Sequence, residues 1–235
     1  MKLLPDWLTS GYLRLINPVA DWLVRHDVQP NTITTIGTLC SVTGGIIYGA
    51  GHIKIGGWFL GVTALFDVLD GVVARRTNRS SVFGAFYDST LDRVADGFVL
   101  GGLAVFFATR PGPASVPMVI VSILGLIGTF VTSYTRARAE ALGIDAKVGL
   151  LQRPERVVLL SAPQAFFGLA LNGLVLIAII TVLTVTAWIT AAQRIYAVYR
   201  AARREHAGAA RVTSEASGTS VFGRRPAPRT VAKGE

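Results

Sequence analysis

Five of the chain's nine aspartates, Asp67, Asp70, Asp88, Asp92 and Asp96, fall within one stretch of thirty residues. That stretch reads Asp67-Val-Leu-Asp70-Gly71-Val-Val-Ala74-Arg75, then eight residues, then Gly84-Ala-Phe-Tyr-Asp88-Ser-Thr-Leu-Asp92. On helices, Asp67 and Asp70 share a face at i,i+3, and Asp88 and Asp92 share one at i,i+4. The connection from Arg75 to Ser81 is short, so the spacing predicts antiparallel neighbouring helices whose carboxylate pairs converge. Long apolar runs flank both pairs. An ionised Asp at mid-membrane costs about 3 kcal/mol, so four cost on the order of 10 kcal/mol, less near the interface. Arg75, Arg76, Arg79 and Arg93 offset part of this as ion pairs. Two divalent cations would match the four negative charges fully, and hard oxygen ligands suit Mg²⁺ or Mn²⁺. No Cys or His joins the cluster. At this point a metal site and a structural charge network or proton path both stand.

The elements that must position these carboxylates are apolar helices. Of the 235 residues, 51% are hydrophobic and only 16% charged, with a mean hydropathy of +0.50. Soluble domains carry roughly 25% charged residues, so the composition argues against a water-soluble globule. Spans of about 20 apolar residues are expected at Ile33–Gly51, Ile55–Ala74, Phe83–Thr109, Ser115–Thr135, Val157–Leu171 and Gly173–Val198. The expected fold is therefore all-α, a polytopic six-helix membrane domain over residues 31–202. Residues 1–30 place Leu8, Tyr12, Leu15, Val19 and Trp22 at helical spacing among charges, which predicts an amphipathic helix lying on the membrane. Lys and Arg collect on one side of the spans. The positive-inside rule then puts both termini and the carboxylates on the cytoplasmic face of the cell membrane. Residues 203–235 form a basic tail expected to be disordered. The single cysteine, Cys40, excludes an internal disulfide, and His26, His52 and His206 are far apart in sequence.

The string from Asp67 to Asp92 resembles the signature of the CDP-alcohol phosphatidyltransferases, D-x2-D-G-x2-A-R-x8-G-x3-D-x3-D, at all eight fixed positions. The resemblance covers residues 1–200 and not the tail. It implies transfer of a phosphatidyl group from CDP-diacylglycerol to an acceptor hydroxyl, with CMP leaving. It implies metal ligation by Asp67, Asp70, Asp88 and Asp92, with two Mg²⁺ or alternatively Mn²⁺, and Asp92 as general base. It also implies that Gly71 and Arg75 contact the nucleotide and diphosphate, as does Ser81 on the connection. Ala74 and Gly84 keep the helix surfaces low, which serves close helix packing or the approach of a flat base and diphosphate. Asn31-Thr32-Ile33-Thr34 matches the family's segment beside the cytidine, and equally reads as a helix start capped by Asn31 or Thr32. Members are usually homodimers, and the same is expected here.

A second basic group lies outside the signature. Arg136 sits near the end of the fourth span, Arg153 opens the fifth in Arg-Pro-Glu-Arg, and Arg194 lies inside the otherwise apolar sixth. Positive-inside anchoring accounts for the tail arginines well and for Arg194 less well. Three guanidinium groups from three helices would make a phosphate pocket. These segments resemble the phosphatidylinositol phosphate synthases of actinobacterial type, in which the corresponding cations hold inositol phosphate. The resemblance implies 1D-myo-inositol 3-phosphate as acceptor, with glycerol 3-phosphate, and so a phosphatidylglycerophosphate synthase, as the alternative. A small carboxylate-based transporter is the reading from a different class, but no duplicated half is visible. The net charge of +9 and pI near 10.3 record membrane orientation and attraction to anionic lipid. They call for no nucleic-acid partner.

Overall fold

The computed structural model describes the backbone of residues 6–221 except 111, 113, 114, 147 and 152, and the side chains of 16–204 with 153 also excepted. Among the described residues the chain is all helix: α1 (Asp6–Arg25), α2 (Pro30–Gly49), α3 (Ile53–Arg76), α4 (Val82–Ala108), α5 (Ser115–Ala141), α6 (Arg153–Phe167) and α7 (Leu174–Val221). A short 3₁₀ turn, Ala170–Gly173, joins the last two.

Helices α2 to α7 close into a ring in the order α2, α4, α5, α7, α6, α3, with α1 packed on α3. The expected direct pairing of α3 with α4 is corrected by this order. Their main contacts are with α2, which is wedged between them. Glycine is the physical reason. A Cβ at Gly45 would lie 2.4 Å from the Phe98 carbonyl oxygen of α4, and one at Gly44 3.4 Å from that of Gly56 on α3. Side chains at these positions would hold the helices apart, whereas bare backbone lets α2 approach both neighbours.

Local signals set the helix ends. Pro30 occupies the first turn of α2, where its missing N–H costs nothing. The N-cap is Gln29, without a side-chain hydrogen bond, so neither Asn31 nor Thr32 caps this helix. The Pro ring fixes the helical φ one residue earlier than a polar cap would have. Helix α3 stops where Asn78 takes a left-handed conformation (φ 52°) and the Arg79 N–H returns to the Ala74 carbonyl. This is the 6→1 bond of a Schellman turn. The Ser81 hydroxyl then accepts from the Gly84 N–H at 2.9 Å and caps α4. Between α6 and α7, Gly168, Leu171, Asn172 and Gly173 all have positive φ, which ends α6 after 15 residues.

Among the described residues, three helical segments are long and apolar enough to cross a membrane: Ile53–Arg76, Ser115–Ala141 and Ala170–Arg204. The protein is a membrane protein. The other ring helices depart from the simple apolar pattern for visible reasons. Thr, Ser and Gly fill α2, while Asp88, Asp92, Arg93 and Asp96 interrupt α4. At 15 residues, α6 is about 22 Å long, less than the hydrocarbon thickness. Helix α7 continues past residue 203, where a disordered tail was expected to begin, as far as Val221. Residues 201–210 include five Ala and two Arg and contain no proline, so helix propensity carries the element onward. Residues 222–235 lie outside the described part.

Candidate active site

The signature residues gather at one end of the ring, where the C-terminal part of α3, the start of α4 and the first turns of α2 meet. Asp70 is 9% exposed, and its Oδ2 accepts a 2.8 Å hydrogen bond from the Thr34 hydroxyl of α2. Thr34 also donates toward the Pro30 carbonyl at 3.1 Å, so this hydroxyl ties the start of α2 to the acid. Asp67 and Asp88 lie close enough to Asp70 for both charges to act on it. The two carboxylate-bearing helices thus converge, but across α2 rather than side by side. On the outer side of that wedge Thr35 and Tyr87 share a 2.9 Å hydrogen bond, which fixes α2 to α4 one residue before Asp88.

The small residues have specific neighbours. The Arg75 guanidinium folds back over Gly71, with Nη1 3.3 Å from where a Cβ would stand. Gly71 therefore leaves the space in which this cation lies. At Gly84 a Cβ would meet Ser81 Oγ at 3.1 Å and Asn31 Oδ1 at 3.5 Å, so Asn31, Ser81 and Gly84 form one polar corner. Thr32 directs its N–H to the Gln29 carbonyl. Ile33 is buried with Ile16, Leu69 and Val73 beneath the site and contributes packing. Ala74 contributes its carbonyl to the Schellman turn. Helix α1 braces the same corner from outside: Arg76 pairs with Asp21 at 2.5 Å and Arg79 with Asp27 at 2.7 Å.

Asp92 lies deeper along α4 and pairs with Arg93 at 3.3 Å. Among the described residues, no group of three or more Asp, Glu, His or Cys side chains is drawn into a ligand cage. The donor chemistry still fits a hard divalent cation. Its carboxylates are presented by two helices, one is buried beside two like charges, and no softer ligand lies in the stretch.

Of the two phosphate-pocket arginines whose side chains are described, Arg136 and Arg194, the latter is held by two backbone carbonyls. Its Nε donates to the Val148 carbonyl at 2.9 Å and its Nη1 to the Thr132 carbonyl at 2.5 Å. The charges of Arg136, Arg156 and Glu140 all act on it, so α5 and α6 direct two cations and one carboxylate toward this residue of α7. Arg136 is also paired with Glu140 at 2.9 Å. The Arg153 side chain lies outside the described residues. Arg156, one turn further along α6, was not assigned to the pocket from sequence. Its i+3 spacing from Arg153 was the signal for it.

The family model for CDP-alcohol phosphatidyltransferase matches residues 27–199. The chain belongs to this family and is a transferase of phospholipid synthesis. It is 38% identical over 188 residues to a phosphatidylinositol phosphate synthase of Mycobacteroides abscessus, covering 80% of this chain and 84% of the relative. It is 35% identical over 226 residues to that of Streptomyces avermitilis, covering 93% and 92%. Among solved structures it resembles the Mycobacterium tuberculosis phosphatidylinositol phosphate synthase with CDP-DAG bound. There the TM-score is 0.72 at 32% identity, over 79% of this chain and 94% of that one. It resembles equally the same enzyme in complex with manganese and citrate, with TM-score 0.72 and 32% identity, over 78% and 88%.

Proposed function

We propose that this transferase moves the phosphatidyl group of CDP-diacylglycerol to a hydroxyl of a phosphorylated polyol, 1D-myo-inositol 3-phosphate, giving phosphatidylinositol phosphate and CMP. The acceptor reading rests on one observation above all: Arg194 is anchored by two backbone carbonyls, where the charges of Arg136, Arg156 and Glu140 act on it. Three guanidinium groups against the one Glu140 carboxylate leave positive charge in excess, which a further anion offsets, and guanidinium groups match phosphate oxygens. The relatives named phosphatidylinositol phosphate synthase support the same choice.

In this reading Asp67, Asp70, Asp88 and Asp92 hold two magnesium ions, or manganese. The metals would supply the charge that steadies the diphosphate and the departing CMP. Arg75, in the space above Gly71, contacts the diphosphate, while Asn31, Thr32, Ile33, Thr34, Ser81, Ala74 and Gly84 shape the cytidine corner. Arg136, Arg153 and Arg194 orient the acceptor phosphate. Asp92 takes the proton from the attacking hydroxyl as the new O–P bond forms. Six spans place both termini and this site on the cytoplasmic side, with α1 on the membrane surface and the protein acting as a homodimer.

The test is CMP release from CDP-diacylglycerol by purified protein with Mg²⁺, screened over 1D-myo-inositol 3-phosphate, glycerol 3-phosphate, free inositol and serine. Fastest turnover with inositol phosphate is expected. Preference for a phosphate-free acceptor refutes the arginine-pocket reading.

A further inference from the structure

Beneath the signature, at the axis of the ring, lies a charge network that joins Asp92 to residues the reaction as described does not use. Asp96 stands one helical turn beyond Asp92 on α4. Its Oδ2 is 3.6 Å from Arg156 Nη2 on α6 and 4.0 Å from Arg93 Nε, while Arg93 Nη2 reaches back to Asp92 at 3.3 Å. Asp96 and Arg156 are only 17% and 15% exposed. They border a cavity of about 30 Å³ lined by one or more residues of each ring helix, Ser41, Leu60, Thr129 and Thr184 among them. That volume holds about one water molecule.

The order Asp92, Arg93, Asp96, Arg156 alternates in charge and sums to zero. Its far end, Arg156, acts on Arg194, and its near end is Asp92. Asp96 lies within ion-pair distance of guanidinium groups from both α4 and α6. In a low-dielectric interior such a carboxylate attracts both cations, here by charge and not by a hydrogen bond to its Oδ2. Without it, Arg156 loses an anchor beside the cation cluster, and Arg93 keeps only Asp92 among these acids.

We propose that Asp96 is a positioning residue for the acceptor: by holding Arg156 it sets the cation cluster that receives the polyol phosphate. The proposal rests on the acceptor reading given above. Asp96 touches neither substrate in this scheme and acts through Arg156.

The test compares wild type, Asp96→Asn, Arg156→Gln and the double variant in the CMP-release assay, varying each substrate separately. The KM for inositol phosphate is expected to rise about tenfold in Asp96→Asn, the size of coupling seen between residues in one ion-pair network, with KM for CDP-diacylglycerol unchanged. The double variant is expected to match Arg156→Gln in its KM for inositol phosphate, because Asp96 reaches the acceptor only through Arg156. It also removes both charges together and keeps the interior neutral, so this comparison survives even where Asp96→Asn alone does not fold. Asp96→Glu, which keeps the charge, is expected to restore most of the acceptor affinity. Equal loss for both substrates, or a double variant worse than Arg156→Gln by the full Asp96→Asn factor, overturns the proposal. A wild type that turns over CDP-diacylglycerol only with phosphate-free acceptors overturns the acceptor reading itself, and this proposal with it.

Discussion

Replacing Gly45 by alanine adds one methyl group where α2 meets α4. That methyl would stand 2.4 Å from the Phe98 carbonyl oxygen and 2.6 Å from its carbon, whereas ordinary contact begins near 3.4 Å. Both obstructing atoms are backbone, so no side chain can rotate away and the helices must separate by about 1 Å. Overpacking of this kind costs about 1–3 kcal/mol, which lowers Tm by roughly 5 °C in a chain of this length. The effect on catalysis should exceed the effect on stability. Helix α2 carries Thr34 and Asn31 and α4 carries Asp88 and Asp92, so widening their seam moves the two halves of the site apart. A displacement of about 1 Å at reacting groups costs on the order of a hundredfold in rate. Gly101 supplies the control. It lies on the same helix as Phe98, and a Cβ there meets nothing within 4 Å. Gly101→Ala is expected to leave CMP release unchanged and to stabilise the protein through better helix propensity, by up to about 1 kcal/mol, with a slightly higher Tm. Thermal unfolding in detergent and steady-state CMP release read both quantities. Wild-type Tm and kcat in Gly45→Ala, or equal damage from Gly101→Ala, would refute the wedge argument.

Three further outcomes are expected. Thr34→Val keeps the shape but withdraws the donor from Asp70; the Mg²⁺ concentration for half-maximal rate should rise about tenfold, as for other residues that orient a ligand carboxylate, and an unchanged Mg²⁺ titration contradicts this. Tyr48→Phe removes the 2.5 Å bond from the fully buried hydroxyl to the Leu160 carbonyl of α6; it should cost about 1–2 kcal/mol of stability with little change in KM for either substrate, measured by unfolding and kinetics. Asp92→Asn should abolish turnover while largely sparing CDP-lipid binding measured on the purified protein, and retained turnover removes Asp92 from the role of base.

The sequence by itself determined where the long apolar helices lie and the family to which the chain belongs. Apolar runs over Ile55–Ala74 and Ser115–Thr135 have only one way to satisfy their backbone in lipid, so α3 and α5 follow from composition. The spacing of Asp67, Asp70, Asp88 and Asp92 put each pair on one helical face, because the 3.6-residue period is fixed by the backbone. Pro30 fixed the start of α2 for the same local reason.

Which helices touch was not written locally. A short connection from Arg75 to Ser81 predicts neighbours, yet α2 lies between α3 and α4, because bare backbone at Gly44 and Gly45 lets a third helix approach both. That choice depends on partners distant in sequence, and no periodicity within one segment encodes it. The same holds for Arg156. Read along the chain it is a basic residue at a helix start, and only ring closure sets it against Asp96, sixty residues earlier, and within range of Arg194. Sequence fixed the types and faces of the reactive groups through short-range geometry. Tertiary packing decided which of them meet, because close approach is a property of two surfaces at once.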